Sequence, residues 1–307
     1  MSDGSGLAIP DSWRDAAGRI AASPGLAIVL GDCDTGKSAL CSFLARDLCR
    51  TGLTVGLVDA DVGQSTIGPH MTIGGKLCET PEAVGPDLHP PFLYFTGATT
   101  PERCLIDSIV GTAQVADRVR ETGPNVILVD TTGMVEGEAA RRLKTIKVQW
   151  LQPAWIVALQ RGDELAPLLL PMERERRRVI RLPAPAEARR RSRERRRANR
   201  RAAYTAYLAQ AEPITLEIAA LSVYDCPENA PEVLAASAVT TAPAWPSDSL
   251  AGALAGLNDV NGHTLAVGRI VGVDCSKGTI SLAAPAIDRE RVTSLKIACA
   301  ETDCGVE

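Results

Sequence analysis

The sequence of 307 residues has no long apolar run, and none approaches the roughly 18 residues that a transmembrane helix requires. Its first residues, MSDGSGLAIPDSWRDAAG, lack the basic end and apolar segment of a secretory signal peptide. The nine cysteines include no CxxC pair, which disfavours a zinc site or a disulfide framework and favours reduced thiols. We therefore expect a cytoplasmic protein with no membrane partner.

Aromatic residues make up only 4% of the chain, so few side chains could stack on a base. Trp150 and Trp155 are expected to be core residues rather than stacking platforms. The histidines His70, His89 and His263 form no cluster in the sequence and receive no role. The guanine-reading Asn-Lys-x-Asp motif is missing, which favours ATP over GTP as the nucleotide.

The net charge of −4 conceals a strongly basic segment. Fourteen arginines lie between Arg174 and Arg201, with three acidic residues among them, so this segment carries a charge of +11. Three interpretations are open: a solvated stretch, a nucleic-acid surface, or a mobile element that closes over phosphates.

A phosphate-binding motif, GDCDTGKS, occupies residues 31–38, which we call the phosphate loop. It follows the apolar run LAIVL and precedes an amphipathic stretch, and this strand–loop–helix context is the one that the motif requires. Lys37 is expected to bridge the β- and γ-phosphates and Ser38 to bind Mg²⁺, while the alternative is a chance glycine-rich turn. The candidate ATP-binding residues are Gly31, Asp32, Cys33, Asp34, Thr35, Gly36, Lys37, Ser38 and Ala39.

Alternating apolar runs and helical stretches over the first two-thirds predict an α/β fold, a P-loop parallel sheet with flanking helices. Later runs, separated by Asn-Gly and Lys-Gly turns, predict a small, mostly β C-terminal domain. The predicted domains are 1–24 (an extension), 25–212 and 213–307, with a connection at 228–248. Strand candidates are 26–30, 54–60, 92–95, 125–130, 155–159 and 178–182, and helix candidates are 37–51, 102–122, 138–152 and 187–210.

Two aspartates follow the second predicted strand, in the sequence VDADVGQS at 58–65. Asp59 and Asp61 have the same parity and project from one face near the end of the strand where ligands bind in open α/β sheets. One carboxylate could hold the metal's water shell and the other could accept a proton from an attacking hydroxyl. Gln64 offers an amide to a phosphate or a water, and the alternative for the pair is an acidic helix cap.

Six motifs occur in this order: GDCDTGKS, VDADVGQS, FTGATTPE, VDTTGMVEG, LQPAWIVALQRGDEL and RSRERRRANRRAAYTAYL. Together they resemble the polynucleotide 5′-hydroxyl kinases, a family that includes the RNA kinase subunit of mRNA 3′-end cleavage factor and ribosomal-RNA-processing kinases. The resemblance covers about residues 25–210 and is to the compact archaeal or bacterial form. It implies transfer of the γ-phosphate of ATP to the 5′-hydroxyl of a polynucleotide, with Mg²⁺, and leaves open whether the acceptor is RNA, DNA or both.

The resemblance also implies roles for individual residues. Asp61 becomes the general base on the 5′-hydroxyl, Asp59 orders Mg²⁺ and its waters, and Gln64 contacts the metal shell or the acceptor phosphate. Thr99 and Thr100 match threonines that bind the first backbone phosphate of the substrate strand, and simple helix capping by Thr100 is compatible with that role.

Residues Thr132, Gly133 and Met134 match the segment that clasps the terminal nucleotide. Many relatives have tryptophan where this chain has Met134. A methionine packs against a base but loses aromatic stacking worth about 1–3 kcal/mol per base.

The basic segment resembles the family's lid, expected at about 184–208, which folds over ATP. Arg196 and Arg200 fit its spacing of four residues, which places two side chains on one helix face. They would stabilise the charge on the transferring phosphoryl group.

Two other functions remain open at this point. One is a catalytically silent ATP-binding scaffold in an RNA-processing complex, and the other is a kinase of small molecules. Intact Lys37, Ser38 and Asp61 argue against the scaffold, while the threonine pair and the basic lid favour a polymeric acceptor. No motif identifies a protein partner.

Overall fold

The computed structural model describes residues 9–188, 191–224, 250–274 and 276–298. The expected connection at 228–248 lies outside the described residues. The described helices are α1 (Asp11–Ala22), α2 (Lys37–Arg50), α3 (Leu105–Glu121), α4 (Gly137–Leu151), α5 (Ala166–Arg174) and α6 (Arg193–Tyr207). The described strands are β1 (Leu26–Gly31), β2 (Val55–Ala60), β3 (Thr72–Cys78), β4 (Phe92–Phe95), β5 (Val126–Thr131), β6 (Trp155–Gln160), β7 (Val179–Pro183), β8 (Glu212–Glu217), β9 (Ser222–Tyr224), β10 (Leu254–Asn258), β11 (Thr264–Asp274), β12 (Thr279–Ala284) and β13 (Ser294–Ile297).

The strands join in one sheet, ordered β7-β6-β1-β5-β2-β3-β4-β11-β10-β13-β9, with β12 pairing with β11 and β8. The pairs among β7, β6, β1, β5 and β2 are parallel, which confirms the predicted parallel sheet. The strand β3, which the sequence analysis did not predict, is antiparallel to both β2 and β4. Predicted strand 92–95 is therefore present but antiparallel to its neighbour.

Helices cover both faces of the parallel strands. One face packs against α1 and α2, through residues such as Trp13, Phe43 and Leu44. The other face packs against α3, α4 and α5, through residues such as Val115 and Val148. Burial on both sides accounts for the continuous apolar runs of β1, β2 and β5. Across the part of the chain described, no helix is both long and apolar enough to cross a bilayer.

Some local expectations were wrong. Helix α3 begins at Leu105 after Cys104, whereas the sequence predicted a start at 102. Trp155 is buried as expected, but Trp150 on α4 is 68% exposed. Helix α1 lies in the predicted N-terminal extension and α5 follows β6, and neither was predicted.

The C-terminal strands extend the same sheet, because Thr264 of β11 pairs with Leu93 of β4. They also form a separate apolar cluster of their own, which includes Leu257, Ile280 and Leu295. The predicted division at 212/213 stays a prediction, since the strands on either side of it share one sheet.

The C-terminal end of α6 is anchored where the two groups of strands meet. Tyr204 and Tyr207 are fully buried beside Phe95 and Val267. The Tyr204 hydroxyl donates to the carbonyl oxygen of His70, and the Val267 N–H donates to the Tyr207 hydroxyl at 3.0 Å. These contacts fix one end of the arginine-rich helix, while its N-terminal end lies over the phosphate loop.

Candidate active site

The phosphate loop connects β1 to α2 with a compact backbone. Gly36 has a φ of 98°, in the left-handed region that favours glycine, and α2 starts at the next residue. A Cβ at Gly31 would lie 2.8 Å from the Thr35 hydroxyl oxygen. The buried Lys37 donates its Nζ to the Asp32 carbonyl oxygen at 2.9 Å. The loop therefore offers a helix N-terminus and an ammonium group to a phosphate.

Ser38 contacts a carboxylate that the sequence analysis did not single out. Its hydroxyl donates to Asp130 Oδ2 at 2.6 Å, and Asp130 lies near the end of β5. Asp130 Oδ1 is buried and has no hydrogen-bond partner among the described residues. Burial raises the pKa of Asp130, and the nearby Lys37 charge and the Ser38 hydrogen bond oppose that rise. A hydroxyl beside a carboxylate oxygen with no partner fits a bound Mg²⁺.

Asp59 lies directly opposite Asp130 in the β2–β5 register and is buried. Its Oδ1 accepts the Asp61 N–H at 3.0 Å, and its Oδ2 accepts the Thr66 N–H at 2.6 Å and the Ile67 N–H at 3.2 Å. Burial, with the Asp130 charge next, raises the pKa of Asp59. The carboxylate therefore holds the loop at 61–67, and its predicted part in ordering Mg²⁺ stays a prediction.

Asp61 lies at the start of that loop and is half-buried. Its Oδ1 accepts the N–H groups of Gly63 and Gln64 at 3.1 and 3.2 Å. No residue in the described ranges donates a hydrogen bond to Oδ2, so this oxygen can accept one from a substrate hydroxyl. The Thr99 carbonyl oxygen lies only 2.9 Å from the position of a Cβ on Gly63, so the two loops meet closely.

The threonine pair lies in a turn that precedes α3. Thr99 is buried and Thr100 is exposed. The expected capping by Thr100 is wrong, because the residue before the first helical turn is Cys104. The Thr100 carbonyl oxygen accepts the Arg103 N–H at 3.1 Å and lies 3.4 Å from the Cys104 thiol. The phosphate-binding role of the pair stays a prediction.

The segment at 131–133, which we call the TTG segment, lies between the phosphate loop and α4. A Cβ at Gly133 would lie 2.5 Å from Cys33 Cα, so only glycine fits there. The fully buried Lys144 donates its Nζ to Thr131 Oγ1 at 2.8 Å and to the Thr132 carbonyl oxygen at 2.5 Å. Lys144 therefore fixes the predicted nucleotide-binding segment, and Met134 follows it half-buried.

The lid lies against the phosphate loop through an ion pair. Arg196 Nη2 donates to Asp34 Oδ2 at 2.6 Å, and the Arg191 N–H donates to the same oxygen at 3.0 Å. Burial acts to raise the pKa of Asp34, but these two hydrogen bonds and the arginine charges lower it overall. Arg191 also donates from Nη1 to Gln64 Oε1 at 3.2 Å. The lid thus contacts both the phosphate loop and the Asp61 loop.

Two further residues near the lid were not predicted. Arg161, just after β6, donates to the carbonyl oxygens of Asp34 at 2.8 Å and Ala188 at 3.4 Å, so it bridges the phosphate loop and the lid. His70 is buried, and burial followed by the Arg200 charge lowers its pKa to about 4. The position of Arg161 after a strand was a usable signal, whereas nothing in the sequence around His70 marked it.

The phosphate loop, the Ser38–Asp130 pair and the basic lid define a nucleotide-binding protein of the P-loop class. Residues 31–210 match the family described as mRNA cleavage and polyadenylation factor CLP1 P-loop. The chain belongs to this family, which agrees with the resemblance found in the sequence.

Several relatives are named polyribonucleotide 5′-hydroxyl-kinases. The relative from Pyrococcus horikoshii is 34% identical over 163 residues, 52% of this chain and 45% of its own length. The relative from Methanocaldococcus jannaschii is 37% identical over 150 residues, 49% of this chain and 41% of its own length. Clp1 of Xenopus tropicalis is 31% identical over 125 residues, 38% of this chain and 29% of its own length. The matched region is less than half the length of each of these relatives.

Solved structures of Clp1p share the fold. One complex of Clp1p with Pcf11p matches with a TM-score of 0.67 at 14% identity, over 95% of this chain and 79% of that one. A second such complex gives a TM-score of 0.68 at 13% identity, over 98% and 82% of the two chains. At these identities the similarity establishes the fold alone.

Proposed function

We propose that this protein is a polynucleotide kinase that transfers the γ-phosphate of ATP to the 5′-hydroxyl of RNA, with DNA as an alternative acceptor that the test below distinguishes. The names of its relatives support this activity. The observation that carries the proposal is the position of Asp61, a partly exposed carboxylate between the phosphate loop and the Thr99 turn. A protein that only bound ATP would not need a carboxylate on the acceptor side of the loop.

On the nucleotide side, the phosphate loop and the N-terminus of α2 bind the phosphates of ATP. Lys37 exchanges its contact with the Asp32 carbonyl oxygen for the β- and γ-phosphates. Ser38 and Asp130 are the residues that would hold Mg²⁺, with Asp59 behind them. Bound Mg²⁺ would neutralise charge on the phosphate oxygens.

On the acceptor side, Asp61 accepts the proton of the substrate's 5′-hydroxyl as its oxygen attacks the γ-phosphorus. The new bond joins this oxygen to phosphorus, and the bond from phosphorus to the bridging oxygen of ADP breaks. Thr99 and Thr100 bind the first backbone phosphate, with Gln64 beside it. Thr132, Gly133 and Met134 hold the terminal nucleotide, on a segment that Lys144 fixes.

The lid supplies positive charge to the transferring group. Arg196 leaves Asp34 for the phosphoryl oxygens when ATP binds, and Arg200 lies one helical turn further along the same face. Closing the lid also excludes water, which favours transfer over hydrolysis.

We further propose that the kinase domain spans 25–212, that 213–307 forms a smaller β-rich domain, and that the protein works in the cytoplasm. The separate apolar cluster of the C-terminal strands supports the division. Free thiols at all five described cysteines agree with a reducing compartment.

The test is incubation with γ-labelled ATP, Mg²⁺ and matched 5′-hydroxyl RNA and DNA oligonucleotides. We expect label on the 5′ end with the unmodified protein and none with Lys37→Ala, provided that circular dichroism shows the variant to be folded. Binding of ATP without any labelled product would instead favour a silent ATP-binding scaffold.

A further inference from the structure

Two lysines on α4 are almost fully buried. Lys144 and Lys147 are 0% and 1% exposed, lie three residues apart on one helix face, and form no ion pair with any carboxylate in the described ranges. Buried ammonium groups are normally paired, because removing a charge from water costs several kcal/mol. This arrangement raises the question of which anion a buried ammonium group on α4 would bind.

The two lysines differ in one respect. Lys144 Nζ has two oxygen partners in the TTG segment, Thr131 and Thr132. Lys147 Nζ is buried and has no hydrogen-bond partner among the described residues. Burial lowers the pKa of Lys147 to about 8, despite the opposing effects of the Cys104 thiol and Asp61. The ammonium group of Lys144 therefore has hydrogen-bond partners within the protein, whereas that of Lys147 has none among the described residues.

The neighbours of Lys147 identify the region that its charge serves. Cys104, which immediately precedes α3, belongs to the same apolar cluster as Val148, the residue after Lys147, and the charge of Asp61, the proposed general base, also acts on Lys147. The Cys104 thiol in turn contacts the carbonyl oxygens of Ala98 and Thr100. Lys147 therefore belongs to the part of α4 that packs with Cys104, the residue that joins the threonine turn to the positive N-terminal end of the 17-residue helix α3.

We propose that Lys147 supplies the buried positive charge that binds the first phosphate of the acceptor strand, the phosphate on the 3′ side of the nucleoside that is phosphorylated. This inference rests on the proposed function. In a polynucleotide, the same terminal nucleoside carries this phosphate on its 3′ side and the reacting hydroxyl on its 5′ side. In the proposed mechanism, that hydroxyl contacts Asp61. A charge near both Asp61 and the α3 N-terminus lies where the unit carries its phosphate. The ammonium acts across a layer of protein, where attraction is stronger than through water.

The test removes each partner of the interaction in turn. The acceptors are a 5′-hydroxyl oligonucleotide and the same oligonucleotide with a neutral methylphosphonate at its first linkage, and the proteins are the unmodified chain and Lys147→Met. For the unmodified protein we expect the neutral linkage to lower kcat/KM about 10- to 100-fold, as for a charge-assisted contact. Lys147→Met should lower kcat/KM on the normal acceptor by a similar factor and lose most of the discrimination between the two acceptors.

Lys144→Met is the matched control. It should also lose activity, because the TTG segment loses its anchor, but it should keep the discrimination against the neutral linkage. Lys147→Arg retains the positive charge and should therefore also retain the discrimination against the neutral linkage. In Lys147→Met the slope of log kcat/KM against log salt should fall by about 0.7, the value for one phosphate contact of a single strand.

Full discrimination in Lys147→Met would overturn the proposal, as would a rise in its Kd for ATP with kcat/KM for the acceptor unchanged. Lys147→Gln takes its place in the same comparison if Lys147→Met does not fold. If the unmodified protein phosphorylates neither oligonucleotide, the proposed function itself has failed, which is a different result.

Discussion

Where the lid meets the phosphate loop, acidic and basic side chains form ion pairs, whereas two buried lysines on α4 form no ion pair with a carboxylate in the described ranges. Arg196 Nη2 lies 2.6 Å from Asp34 Oδ2, and Arg161 Nη1 lies 3.7 Å from Asp32 Oδ2. Lys144 and Lys147 instead lie on a helix packed against the sheet. We infer that the lid and the phosphate loop satisfy one another's charges, whereas the Lys147 ammonium group is available to an anion.

The difference follows from which parts move. In the proposed mechanism the lid needs partners for its arginines in both its open and its closed position, and Asp34 is one such partner. Charges on a helix packed into the core cannot turn away to solvent. The free energy that their desolvation costs lowers the stability of the folded protein, and a bound phosphate would offset part of that cost.

The largest effect should come from the acceptor side, on removing the proposed base. Asp61→Asn keeps an oxygen for the N–H groups of Gly63 and Gln64 but cannot take a proton. We expect kcat to fall about 10²- to 10⁴-fold, the usual contribution of a general base, with the Kd for ATP nearly unchanged. Steady-state kinetics and equilibrium ATP binding check this, and a kcat within threefold of the unmodified protein would exclude Asp61 as the base.

The next largest effect is expected on the stability of the protein, because Lys147 Nζ is buried without a hydrogen-bond partner among the described residues. Its pKa is about 8 in the folded protein against an ordinary value of 10.5, so the unfolded chain binds more protons between these pH values. The stability of the unmodified protein should therefore rise with pH through this window relative to Lys147→Met. Below pH 8 the free energy of unfolding of Lys147→Met should exceed that of the unmodified protein by up to about 3 kcal/mol, at about 1.36 kcal/mol per pKa unit. This difference should shrink towards pH 10.

Urea unfolding at pH 7 and pH 10 measures this difference. Lys277→Met is the control, because the Lys277 side chain is 76% exposed and its ion pair with Asp274 lies at the surface. A gain that does not change between the two pH values would mean that Lys147 has a partner in the folded protein.

A smaller effect is expected from the lid. Arg200→Ala should lower kcat about 10- to 100-fold and change the Kd for ATP by less than about threefold, because the lid acts mainly in the transition state. Arg201→Ala is the matched control, since Arg201 is exposed and lines the outer groove of α6. Equal losses in the two variants would contradict a specific role for Arg200.

The smallest effect should come from the Asp34–Arg196 ion pair. Asp34→Asn removes the charge, and asparagine tolerates the φ of 54° at this position. Because Arg196 no longer needs to leave a partner, ATP should bind up to about fivefold more tightly, as expected for a partly exposed pair worth about 1 kcal/mol. The gain should vanish in the Arg196→Ala background, and weaker ATP binding in Asp34→Asn would show that Asp34 does not compete with the phosphates.

Much of the nucleotide side could be predicted from the sequence, because its signals are local. The phosphate loop is eight consecutive residues, and the strands before and after it are continuous apolar runs. Asp130 could have been found in the same way, as the aspartate near the end of the run NVILVD. The order of the motifs then indicated the family.

The parts that sequence analysis missed depend on tertiary packing. Strand β3 contains the pair Gly74-Gly75, which suggests a break, yet a Cβ at Gly74 would lie 2.0 Å from the Ile67 carbonyl oxygen. Lys144 and Lys147 resemble solvent-facing charges of an amphipathic helix, and tertiary packing of α4 against the rest of the fold buries them. The sequence predicts Trp150 to be a core residue rather than a stacking platform, but its side of α4 faces solvent.

The most direct test of the account compares four acceptors under one set of conditions. The unmodified protein, γ-labelled ATP and Mg²⁺ are incubated with a 5′-hydroxyl RNA oligonucleotide, its DNA counterpart, the same RNA already carrying a 5′-phosphate, and a free nucleoside. The account predicts label on the 5′-hydroxyl oligonucleotides and little or none on the phosphorylated RNA or the nucleoside. Label on the nucleoside alone would contradict it and indicate a kinase of small molecules.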